Sequence, residues 1–148
     1  MKTVLAFGCF DILHYGHLQY LRKAKELGDR LIVVVARDST MKKVKGREPI
    51  FDEKARLEMV KALRLVDDAR LGNEDGEKEK YAVILEVKPD VIALGYDQAE
   101  NEARLKEWLH ANGLSNIEVK RIKHAEDAEV YKSSKAIEKI RSCIINEL

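Results

Sequence analysis

The sequence predicts an α/β fold, a doubly wound and mainly parallel five-stranded sheet, and three observations predict it. Short apolar runs alternate with helically spaced segments about five times along the chain. One of those runs, Leu31-Ile32-Val33-Val34-Val35, has the continuous β-branched character of a parallel strand covered on both faces. The length of 148 residues suits one core, so residues 1–148 read as a single domain with right-handed crossovers.

The elements follow in order. Residues 4–10 form an apolar run, read as a buried first strand. Residues 17–27 carry Leu18, Leu21, Ala24 and Leu27 at helical spacing and stop at Gly28. The second strand is 31–36, and residues 37–51 are read as a long irregular stretch of the kind that carries function. Asp52 is placed to cap a helix running to Leu63, with Leu57, Val60 and Leu63 as its apolar stripe. Residues 69–71 make a weak third strand, 81–87 a helix stopped before Pro89, and 91–94 a buried strand ending at Gly95. A helix over 101–111 closes at Gly113 with Trp108 on its core side. A strand over 117–122, an irregular stretch over 123–132 and an amphipathic helix over 134–145 complete the chain.

Composition narrows the function. Hydrophobic residues make up 45% and charged residues 36%, yet the formal net charge is only +1. Nothing global therefore points to nucleic acid or to an anionic membrane, and any anion site has to be a local cluster. The two cysteines, Cys9 and Cys143, have neither metal-ligand spacing nor a disulfide framework, which suits a reducing compartment. The N-terminus runs straight into a strand, and no apolar stretch approaches the ~20 residues of a membrane span. The expectation is a soluble, cytoplasmic protein.

In such a sheet, ligands bind at the carboxyl ends of the strands near the topological switch point. There the first strand ends in Gly8-Cys9-Phe10-Asp11, followed by Ile12-Leu13-His14-Tyr15-Gly16-His17 and a helix. Either histidine alone reads as a satisfied polar residue of a turn. Two imidazoles three residues apart, with a glycine between them at a helix start, read as an anion site. Unpaired backbone N–H groups and the helix dipole attract phosphate there, both rings can donate to it, and Gly16 allows close approach to the backbone.

With Gly8-x-Phe10-Asp11 and His14-x-Gly16-His17 in place, the chain resembles the cytidylyltransferase-like nucleotidyltransferases, which implies a Rossmann-like domain. Later landmarks recur in the family's order: Lys43-x-Lys45, Arg56, Gly95-x-Asp97 and Ser133-Ser134. Within the superfamily the chain is similar to the archaeal FAD synthases and to the glycerol-3-phosphate cytidylyltransferases. Val34-Val35-Ala36-Arg37-Asp38, Lys45-Gly46-Arg47-x-Pro49-Ile50 and Leu94-Gly95-Tyr96-Asp97-Gln98 follow the FAD synthase pattern. The cytidylyltransferase branch carries an Arg-Thr-Glu-Gly-type element before its last helix. Here that stretch reads Arg121-Ile122-Lys123-His124-Ala125-Glu126-Asp127 and lacks it.

The resemblance implies the following roles. His14, His17, Lys43 and Lys45 would be catalytic, gripping the NTP phosphates and stabilising charge on the α-phosphoryl group. Cys9, Phe10, Tyr15 and Gly16 would border the nucleotide with them, Cys9 standing where a threonine is common. Asp97 would contact the ribose or base, and His124 would stack on the base or stand as an exposed loop residue. Ser133 and Ser134 would serve the β/γ phosphates, cap the last helix, or both. Asp11 would orient Mg²⁺ or the acceptor, or cap its own turn; Arg56 would contact phosphate or be an ordinary ion-paired helix arginine. For a flavin acceptor, Tyr96 and Tyr131 are available as ring walls.

The implied reaction is ATP plus FMN giving FAD and pyrophosphate, with Mg²⁺ or another divalent cation accompanying the nucleotide. Relatives imply a homodimer. The alternatives are cytidylyl transfer from CTP to glycerol 3-phosphate, and a nucleotide-binding module without catalysis.

Overall fold

The computed structural model describes residues 1–73, 81–96, 98, 100–123 and 131–147. Five strands, β1 (Thr3–Gly8), β2 (Arg30–Val35), β3 (Asp68–Leu71), β4 (Val91–Leu94) and β5 (Glu118–Arg121), form one sheet in the order β3-β2-β1-β4-β5. Every pairing is parallel, so the sheet is parallel throughout. The chain winds outward from β1 through β2 and β3, then crosses back to β4 beside β1 and continues to β5. The loops leaving β1 and β4 therefore diverge at the carboxyl edge, the position where sheets of this order bind ligands in a crevice.

Parallel strands need both faces covered, and the described residues form six helices: α1 (Tyr15–Lys25), α2 (Asp38–Lys45), α3 (Glu53–Lys61), α4 (Ala82–Val87), α5 (Glu102–Ala111) and α6 (Ser133–Glu147). Alternate residues of each central strand feed opposite faces. Val4, Ala6, Val33, Val35, Val91 and Ala93 pack with Leu21 and Ala24 of α1 and Val60 of α3. Leu5, Ile32, Val34, Ile92 and Leu94 pack with Val83 and Ile84 of α4 and Leu105 and Leu109 of α5. Trp108 lies against this second cluster, as its helical position predicts.

Three sequence expectations are corrected here. Residues 37–51 are not irregular throughout, because α2 occupies Asp38–Lys45. It is short, and Met41 is its one buried residue, so the apolar period is too thin to read. The first strand stops at Gly8, because Phe10 takes a left-handed backbone (φ 53°) that no strand can hold. The first helix starts two residues before His17, because His14 caps it. Asp52 and Asn101 cap α3 and α5, their side chains accepting from the N–H groups of Ala55 (2.8 Å) and Arg104 (3.1 Å). No helix among the described residues is long and apolar enough to cross a membrane.

Candidate active site

The loop after β1 is built on two backbone irregularities and one buried carboxylate. Phe10 and Ile12 both have positive φ (53° and 55°), each costing on the order of 1–3 kcal/mol for a residue with a side chain. The Phe10 ring folds back over Gly8, where a Cβ would sit 2.7 Å from ring carbons. Between the two strained residues, Asp11 is buried and accepts from the N–H groups of Ile50 (2.8 Å) and Phe51 (2.9 Å) and from Arg47 Nη1 (3.0 Å). Burial pushes the Asp11 carboxyl up, but those backbone donors and the Arg47 guanidinium outweigh it and hold the group below its ordinary value. The Ser133 hydroxyl donates to the Asp11 carbonyl (2.7 Å), tying the start of α6 to the same loop.

The two imidazoles form a reciprocal cap. His14 Nδ1 accepts from Gly16 N–H (3.0 Å) and His17 Nδ1 accepts from His14 N–H (3.2 Å), with the His14 ring also facing the His17 N–H. The rings stack at 3.8 Å between centroids, and Phe10 lies 5.3 Å from His17. A ring nitrogen that accepts a backbone N–H carries no proton, so the neutral form of each imidazole is its Nε2–H tautomer, a donor at the far nitrogen. Burial first, then the neighbouring His14 and Lys45, lowers the His17 pKa to about 3, so the ring is neutral at physiological pH.

This geometry gives two features roles inside the protein. The Gly16 and His17 N–H groups at the start of α1 are engaged by the His14 ring. Gly16 is required by the protein itself: a Cβ there would lie 2.2 Å from the Tyr131 carbonyl oxygen and 2.8 Å from the His14 ring.

Lys45, at the end of α2, lies near enough to contribute to the electrostatics of both His17 and Cys9. Lys43 lies on the same helix and is exposed. Arg56 is fully buried and donates to the carbonyls of Cys9 (2.7 Å) and Phe51 (2.9 Å) and to Asp38 Oδ1 (2.7 Å). Of its two readings, the structure displays the ion-paired helix arginine, committed to the framework of the site. Burial pushes the Cys9 thiol up against the influence of Lys45 and Arg56, which favours the protonated thiol over the thiolate.

Across the crevice, the loop after β4 is stapled by a residue that sequence reasoning did not assign. Arg121, at the end of β5, donates to the carbonyls of Gly95 (2.8 Å), Gln98 (2.8 Å) and Glu100 (2.9 Å) and to Glu102 Oε1 (2.9 Å). Gln98 in turn accepts from Gly95 N–H (3.0 Å) and donates to the Phe7 carbonyl. Tyr96 lies under the Lys132 ammonium, 5.6 Å from ring centroid to nitrogen, and Tyr15 meets Tyr131 edge-on at 5.0 Å. Ser134 is exposed one residue beyond Ser133. Asp97 and His124 lie outside the described residues.

The arrangement brings His14, His17 and Lys45 to one edge of the crevice, with Arg47 beside Asp11 and Lys132 beside Tyr96. It is a local cationic and hydrogen-bond-donating site in a protein of almost no net charge, suited to a polyphosphate. Among the described residues no group of three or more His, Cys, Asp or Glu could hold a metal ion, and both Asp11 carboxylate oxygens are engaged by N–H donors. The described residues therefore do not themselves form a cage for a divalent cation.

Comparison with known proteins agrees with this geometry. An FAD synthase of Thermoplasma acidophilum is 47% identical over 144 residues, covering 97% of each chain. An FAD synthase of Methanothermobacter thermautotrophicus is 45% identical, over 99% of this chain and 96% of its own. The crystal structure described as the lipopolysaccharide core biosynthesis protein from Thermoplasma volcanium superposes with a TM-score of 0.78 at 46% identity, covering 85% of this chain and 99% of that one. Residues 5–147 match the Cytidylyltransferase-like family. The chain belongs to the cytidylyltransferase-like family.

Proposed function

We propose that this protein transfers AMP from ATP to FMN, giving FAD and pyrophosphate. The observation that carries the choice of substrates is the set of FAD synthases that match it at 44–47% identity over nearly the whole chain. The site supports the chemistry. A phosphate-monoester oxygen of FMN attacks the α-phosphorus of ATP, the bond to the β-phosphate oxygen breaks, and pyrophosphate leaves with that oxygen. The second pKa of such a monoester is near ~6, so the nucleophile arrives ionised and no general base is required. The work is to align two anions and to stabilise charge on the transferring group.

The Nε2–H donors of His14 and His17 suit the α-phosphoryl oxygens because they are fixed before substrate arrives. Lys45 adds a positive charge, and Lys43 and Ser134 extend the site toward the leaving phosphates. Ser133 and Asp11 keep the α6 end and the β1 loop together, and Asp97 and His124 belong to the nucleotide side. The divalent cation enters as part of the ATP complex, since Mg²⁺ is commonly held by substrate phosphates. A cytoplasmic homodimer is part of the same proposal.

The test is incubation of the enzyme with ATP, Mg²⁺ and FMN under reducing conditions. FAD should form, seen as quenched flavin fluorescence with equimolar pyrophosphate. Absence of FAD, with pyrophosphate released from CTP and glycerol 3-phosphate instead, would assign the other acceptor.

A further inference from the structure

Among the described residues only two polar or charged side chains are buried, Asp11 at 2% and Arg56 at 0% relative exposure. Both hold the backbone of the same residue. The Phe51 N–H donates to Asp11 Oδ1 (2.9 Å) and the Phe51 carbonyl accepts from Arg56 Nε (2.9 Å), while Ile50 N–H donates to Asp11 Oδ2 (2.8 Å). Burying two ionised groups is costly, and they are used here to fix a short loop, not to fill the core. The side chains that this clamp presents are apolar and open: Ile50 is 57% and Phe51 42% exposed, with Val44 exposed on the preceding helix. A rigid backbone carrying exposed large apolar side chains marks a binding surface more than a solvated loop.

The surroundings specify the occupant. Arg47 joins the same carboxylate as Ile50 and Phe51, and Lys45, six residues before Phe51, reaches the electrostatics of His17. The patch therefore lies on the β2 side of the phosphate site, opposite the β4 loop with Tyr96. A ligand that covers it should have a planar apolar ring and a phosphate dianion. We infer that Ile50 and Phe51 seat the isoalloxazine ring of FMN, with Asp11 and Arg56 as positioning residues that hold the seat. This rests on the proposed FMN acceptor and adds where its ring lies.

The test is steady-state FAD synthesis by Phe51→Ala, Phe51→Trp, Ile50→Ser and Asp11→Asn, varying FMN and ATP separately. Loss of one aromatic–heterocycle contact should raise the FMN KM about tenfold or more in Phe51→Ala. The ATP KM should stay within about twofold, and Phe51→Trp should restore FMN affinity. Asp11→Asn should show the same split between the FMN and ATP constants, which general destabilisation would not give. Wild-type enzyme that makes no FAD would overturn the acceptor reading itself. Wild-type enzyme that makes FAD while Phe51→Ala keeps its FMN KM would overturn the seat alone. A rise in the ATP KM instead, or a changed oligomeric state with FMN kinetics intact, would also overturn it, assigning the patch to adenine or to a second copy of the chain.

Discussion

The two segments that meet at the proposed phosphate site are held in opposite ways. In the β1–α1 junction, Phe10 and Asp11 are buried, and Asp11, His14, Gly16 and His17 are tied by hydrogen bonds or ring stacking. In α6, none of the described residues is buried, and Ile140, Ile144 and Ile145 are more than half exposed. The two meet through the Ser133 hydroxyl on the Asp11 carbonyl and the Tyr131 carbonyl against Gly16. The difference teaches where preorganisation lies. The proposed imidazole donors are on the locked side, and contacts proposed for the exposed helix should be lost at smaller cost.

The largest expected effect follows from removing a locked donor. His14→Ala and His17→Ala should each lower kcat by about 10² or more, as for loss of one preorganised donor to transition-state charge. Single-turnover FAD formation measures this, and near-wild-type turnover in both variants would break the comparison. Gly16→Ala comes next, because the new Cβ must displace the Tyr131 backbone or the His14 ring. A loss of about 1–3 kcal/mol of stability is expected, read from denaturant melts, together with slower turnover.

Lys45→Ala should raise the ATP KM and lower kcat more than Lys43→Ala. Two residues apart on a helix they face nearly opposite directions, and Lys45 is the one felt at His17. Equal effects would show that α2 presents both to the nucleotide. A further effect is on acid stability. The folded pKa of His17, about 3, lies below its ordinary 6.5, so burying the neutral ring contributes stability above pH 6.5 that is lost as pH falls toward 3. His17→Asn should therefore lose less Tm than wild type between pH 6.5 and 4; parallel losses would contradict the shift.

What was legible in the sequence was local. The histidine pair acts over three residues at a strand-to-helix junction, so spacing alone marks it, and the β-branched runs announced the parallel strands. What was not legible depends on distant partners. Asp11 serves N–H groups 39 and 40 residues away, Arg56 serves a carbonyl 47 residues back, and Arg121 serves carbonyls 21 to 26 residues back. Backbone acceptors have no residue identity, so no motif records such bonds. The packing demand on Gly16 was not legible either, because the carbonyl that fills its space comes from residue 131.

The claim that the junction holds His17 as a fixed neutral donor is tested most directly by ¹⁵N NMR of its ring nitrogens across pH. From pH 8 down to about 5 the account predicts one unchanging species, protonated at Nε2 and unprotonated at Nδ1, with no titration near 6.5. A midpoint close to 6.5, or a proton at Nδ1, would contradict it.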